Sequence, residues 1–148
     1  MDYEVLVKEF RKVIKIIRQK HEHIALAMIK AFDIDIKLWN FIISASEYND
    51  LYVGDALRDF ITIVDSNIDK KVKKEIMRFT VLKTDDPFVK EINRIFKVKN
   101  SVKYVKSLYF AGIYIEEGII FESSPVSVKM KREYLKKSSR YKAMESVI

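Results

Sequence analysis

Cysteine is missing from the 148-residue chain, and glycine occurs three times, proline twice and histidine twice. Without a thiol there is no cysteine nucleophile, no thiolate metal ligand and no disulfide. Gly54, Gly112 and Gly118 stand too far apart to build a phosphate-cradling loop, so neither GxGxxG nor GxxxxGK[ST] can be written. The nucleophile elbow GxSxG is absent as well. Long apolar runs are also lacking. No uncharged run is longer than Leu38–Ser46, which is far below the roughly 20 residues that a membrane-spanning helix needs. The expectation is therefore a protein that is not integral to a membrane. The opening Met1-Asp2-Tyr3-Glu4 has no apolar export segment, which sets a cytoplasmic expectation. No enzyme signature is present, and the chain reads first as a non-enzymatic binding protein.

What is present is a globular composition, 49% hydrophobic and 33% charged, with a net charge of +7. The Lys/Ile-rich usage with a single Gln leans towards a thermophile. The positive charge is uneven. Residues 125–148 hold Lys129, Lys131, Arg132, Lys136, Lys137, Arg140 and Lys142 against only Glu133 and Glu145. The first 124 residues are close to neutral. This asymmetry predicts a compact domain over residues 1–124 and a basic, partly helical extension over 125–148 that meets a polyanion.

Residues 3–19 have the spacing of an amphipathic helix. Leu6, Phe10, Val13, Ile14 and Ile17 form one apolar stripe, and Lys8, Arg11, Lys12, Lys15 and Arg18 gather opposite it as a cationic ridge. Residues 24–46 read as a hairpin of Ile24–Ala31 and Leu38–Ser46, with the continuation of the first helix to Phe32 as the rival reading. A helix follows near Tyr52–Asp65, with Leu57, Phe60, Ile61 and Val64 inward. Asp69 caps a basic helix over Lys70–Arg78, with Val72, Ile76 and Met77 inward. Phe79–Lys83 is a short strand. Asp86-Pro87 opens a helix striped by Val89, Ile92, Ile95 and Phe96. Asn100–Phe110 and Gly112–Glu122 are strand-like. The expected fold is α+β: one domain with a four- to five-stranded, largely antiparallel sheet and helices packed on one face.

Three constellations carry chemistry. Basic residues interleaved with tyrosine on the extension, together with the Lys8–Arg18 ridge, suit phosphates and unpaired bases. They define the leading expectation, a partner that is nucleic acid or an acidic protein. Second, Phe32-Asp33-Ile34-Asp35-Ile36 resembles the DxD strand of the nucleotidyltransferase superfamily, although no Gly precedes Gly54 and Leu38–Ser46 supplies no third acid. That resemblance implies Asp33 and Asp35 as ligands of Mg²⁺ or Mn²⁺. With Asp85 they make the alternative of a metal-dependent nuclease or phosphoryl-transfer enzyme. Asp85-Asp86 otherwise reads as a helix start. Third, His21-Glu22-His23 falls at the solvated end of the first helix, where imidazole faces free carbonyls. Finally, Tyr104, Tyr109, Phe110, Tyr114 and Phe121 are dense on the last strands. They suggest, as a further alternative, a structural homo-oligomeric subunit.

Overall fold

The computed structural model describes residues 3–21, 23–33, 35 and 38–125. The elements are α1 (Tyr3–Lys20), β1 (Ile24–Asp33), β2 (Leu38–Ala45), α2 (Val53–Asn67), the one-turn α3 (Lys70–Lys73), β3 (Ile76–Val81), α4 (Pro87–Ile95), β4 (Lys103–Phe110) and β5 (Ile113–Ser123). The fold is α+β. The strands form one sheet in the order β3-β2-β1-β5-β4. β1 pairs antiparallel with β2 and β5, and β4 antiparallel with β5, whereas β3 runs parallel to β2. The sheet is therefore mixed, which corrects the expectation of a largely antiparallel one. The reason is topological. α2 and α3 carry the chain from the end of β2 back to its start, and a strand entered that way must run parallel.

Helices cover both faces of the sheet, which corrects the expectation of a single helical face. On one face α1 buries Leu6, Phe10, Val13, Ile14 and Ile17, the five residues of the apolar stripe, against Ala27, Ile29, Ala31, Phe41, Ile119 and Phe121. α2 joins this layer through Ala56, Phe60, Ile63 and Val64, so Ile63 points inward where Leu57 and Ile61 were expected. On the opposite face α4 packs Phe88, Val89 and Ile92 on Leu26, Met28, Ile42 and Ile120. Burial on both sides explains why Ile24–Ile29 is apolar without a polar face, as strands covered on both sides must be. The small Ala27 and Ala31 belong to the core layer shared with α1 and α2.

Local signals set several boundaries. Asp69 accepts from Lys71 N, and Asp86 accepts from Phe88 N with Pro87 at the first helical position. The Asp69-capped helix ends at Lys73, not Arg78, because Ile76–Val81 pairs with β2 as an edge strand. Ala111 and Gly112, both at positive φ, make the two-residue turn joining β4 to β5. A register shift between Ala27/Glu122 and Met28/Ile120 inserts one extra residue in β5. This bulge puts Glu122 on the α1 face next to Phe121 and leaves Ser123 to the α4 side, where it accepts from the buried Asn93 Nδ2 at 2.9 Å.

Gly118 sits where β1, β4 and β5 meet. A Cβ added there would lie 3.2 Å from Ile115 Cγ2, from the Ile29 carbonyl oxygen and from Val105 Cγ2. Gly118→Ala is expected to lower stability by about 1 kcal/mol, overpacking outweighing the lost chain entropy. Urea unfolding measures this directly; an alanine variant more stable than the parent would contradict the packing.

Candidate functional site

α1 presents its buried stripe to the sheet, so its opposite side is free to carry charge. Lys8, Arg11, Lys12, Lys15 and Arg18, the whole of the expected ridge, line a groove of about 450 Å³ with Asn100, Ser101, Ile14 and Phe121. The far wall is the connection between α4 and β4. It is held against the helix by Arg11, whose guanidinium donates to the Asn100 carbonyl, and by Arg18, which donates to Asn100 Oδ1, each at 3.3 Å.

The five cations are not equivalent. Arg18 donates to and pairs with Glu122, the acid turned onto this face by the β5 bulge. Lys12 pairs with Glu9 at 3.0 Å. Glu9 is held below the usual carboxylate range, first by the Asp69 backbone N–H that it accepts and then by Lys12. Lys8, Arg11 and Lys15 have no carboxylate within ion-pair distance among the described residues. Among the described residues, three positive charges therefore face the groove without an ion pair, an arrangement that suits a row of phosphates.

Two neighbours of the groove were not visible in the sequence. Asn100 and Ser101 enter it only through the docking of the α4–β4 connection. A second groove of about 250 Å³ lies on α4, lined by Lys90, Arg94, Lys97, Thr84, Asp85, Asn93 and Pro125. Its cations recur at i, i+4 and i+7, a helical ridge like that of α1 and the signal that could have found it. Asp85 in its wall makes it less positive than the α1 groove.

Asp85 does not join Asp33 and Asp35. Asp33 ends β1 and Asp35 is exposed in the turn before β2. Asp85 follows β3, which runs parallel to β2, so it stands at the other end of the sheet. The separation is the length of β2, about 25 Å at the rise of a strand. No group of three or more His, Asp or Glu that could hold a metal occurs among the described residues. Of the basic extension, Lys129, Lys131, Arg132, Lys136, Lys137, Arg140 and Lys142 lie outside the described residues. No helix among the described residues is long and apolar enough to cross a membrane.

The histidines correct the expectation of a solvated helix end, since both are buried. His23 Nε2 lies 2.9 Å from the Ser124 carbonyl. His21 Nδ1 lies 2.9 Å from Glu47 Oε2, its Nε2 is 3.5 Å from Asp59 Oδ2, and its ring meets Tyr48 edge-on. The Tyr48 hydroxyl donates to Asp59 at 2.6 Å, as does Lys20 Nζ. Burial raises the Asp59 carboxyl, but the hydrogen bonds from Lys20 and Tyr48 and the nearby His21 outweigh it, so the group titrates below the usual range. Burial, and after it the contact with Asp59, pushes the Tyr48 phenol up. This cluster ties the end of α1 to α2.

A depressed carboxylate stabilises the fold above its unfolded pKa, about 3.9, and the contribution is lost as pH falls through the lower folded value. Asp59→Asn is therefore expected to lower Tm at pH 6–7 and to narrow its difference from the parent below pH 4. Thermal melts across that range check this; a constant difference at all pH values would contradict it.

Comparison with protein families, with curated proteins and with solved structures finds no match for this chain.

Proposed function

We propose that this protein binds nucleic acid, with the α1 groove as the phosphate-contacting surface and the basic extension as a second electrostatic element. The observation that carries the reading is the convergence of Lys8, Arg11 and Lys15, all without ion pairs among the described residues, in one groove of about 450 Å³. Lysine and arginine held on a helix neutralise successive phosphates and release their counterions, which gives affinity without demanding one base sequence. The reading is of a binding protein, not an enzyme. Asp85 stands at the other end of the sheet from Asp33 and Asp35, which favours the binding reading over an enzyme that uses all three.

The extension is expected to add to the same electrostatic term. Removing residues 125–148 takes away seven basic groups and two acids. The truncated chain should bind more weakly and show a shallower dependence of log K on log salt than the full chain. Fluorescence anisotropy with a labelled oligonucleotide between 50 and 200 mM salt measures both. Equal affinity and equal slope for the two chains would remove the extension from the interface. Preference for an acidic protein over any oligonucleotide would replace nucleic acid as the partner.

A further inference from the structure

The face that carries the α1 groove continues beyond the start of the helix as an aromatic surface. Tyr104 on β4 is opposite Ile119, a residue of the α1-side core, and stacks on Tyr3 with ring centroids 6.5 Å apart. Tyr3 donates to Glu117 and is held as a neutral phenol, pushed up to about 12 by burial and by that carboxylate. Tyr104 keeps 53% of its surface exposed. Farther along the hairpin, Leu108 and Ile115 belong to the α4-side core, so their strand neighbours Tyr109 and Tyr114 project to the α1 face. Tyr109 is 67% and Tyr114 42% exposed, and their rings lie 4.7 Å apart at 39°.

We infer that the ligand of the α1 groove is single-stranded nucleic acid, its phosphates on the ridge and its unpaired bases on Tyr104, Tyr109 and Tyr114. This rests on the nucleic-acid reading of the groove and adds the state of the strand. Geometry supports one continuous track. Arg18 meets Asn100 just ahead of β4, the ridge runs back along α1 to Lys8, and the helix begins at Tyr3 beside Tyr104. The helical part from Arg18 to Lys8 is about 15 Å, and Tyr104 to Tyr109 along β4 is about 17 Å, a length that suits several nucleotides. Chemistry separates the two ends. At the groove the cations dominate, whereas near the tyrosines Lys106 stands opposite Glu117 in the strand register, so that end offers flat π-faces without excess charge. A duplex hides its base faces and can use only the cationic end. A single strand uses both, because every unpaired base has a face to stack.

The test uses the full chain with three probes: a 12-nucleotide oligo-dT, a duplex of the same length, and an abasic oligonucleotide with the same number of phosphates. The parent protein is expected to bind oligo-dT at least tenfold more tightly than the abasic strand or the duplex. Tyr109→Leu/Tyr114→Leu, which keeps apolar bulk on the hairpin, should lose roughly tenfold or more for oligo-dT and little for the abasic strand. Tyr109→Phe/Tyr114→Phe should retain parent affinity, since the ring faces remain. Equal affinity of the parent for all three probes, or unchanged oligo-dT binding by the leucine variant, would overturn the single-strand assignment while leaving the groove as a phosphate site. Binding to none of the three at 50 mM salt would overturn the nucleic-acid reading itself.

Discussion

Replacing Lys8, Arg11 and Lys15 together by glutamine is expected to weaken oligonucleotide binding roughly 100-fold at 0.1 M salt and to flatten the log–log salt slope by about 2. The magnitude follows from counterion release: each phosphate neutralised on a single strand contributes about 0.7 to the slope, and three contacts are removed. The choice of residues matters. These three are exposed on α1 and face no carboxylate among the described residues, so the variant leaves no orphaned charge behind. Arg18 is a poor probe of binding, because its removal strands Glu122, which is 7% exposed, and lowers stability as well. Lys12 is partly answered by Glu9. Glutamine is nearly as good a helix former as lysine or arginine, so Tm should stay within a few degrees of the parent. Loss of binding with an unchanged melt is the expected pair of results. Retained binding with an unchanged salt slope would place the interface elsewhere.

The second large effect concerns the layer that holds α1 in place. Phe41 on β2 is fully buried and meets Phe10 of α1 at 4.8 Å and Phe60 of α2 at 4.9 Å, both edge-on. Phe79 of β3 lies beside it, and Phe10 also stacks on Phe121 of β5. One ring therefore links two helices and the parallel edge of the sheet. Phe41→Ala is expected to cost about 3–5 kcal/mol, the transfer of the ring plus the cavity left behind. In a chain of this size that is a large part of the total stability and lowers Tm by roughly 10 °C or more. Equilibrium unfolding in urea should show a lower midpoint with an unchanged slope. A loss under 1 kcal/mol would mean that this aromatic layer is not the centre of the α1-side core.

Much of this arrangement was legible in the residues, and the reasons for what was not are physical. The α1 stripe and ridge followed from 3.6-residue spacing alone, because a helix with one buried side separates the two sets by geometry. The caps at Asp69 and Asp86 were legible for the same local reason. Between strand and helix for Ile24–Phe32, the structure has the strand, and both strands of the hairpin are present. What failed was non-local. The parallel placement of β3 depends on where α2 and α3 return the chain, and neither element records that. The helices on both faces were signalled only by the unbroken apolar run Ile24–Ile29, which alternation by size disguised. The burial of His21 depends on Glu47 and Asp59, distant in sequence. The groove's second wall, Asn100 and Ser101, likewise arises from docking of a connection with no motif of its own. At the site the charges were readable, but which of them are paired was not, since Glu122 reaches Arg18 only through a bulge in β5.

The most direct measurement is the salt dependence of oligo-dT binding by the 148-residue chain. Lys8, Arg11 and Lys15 of α1 require a log–log slope of about −2 or steeper, with the basic extension adding to it. Tight binding that is indifferent to salt, or no binding at 50 mM salt, would contradict a phosphate-reading groove on this helix.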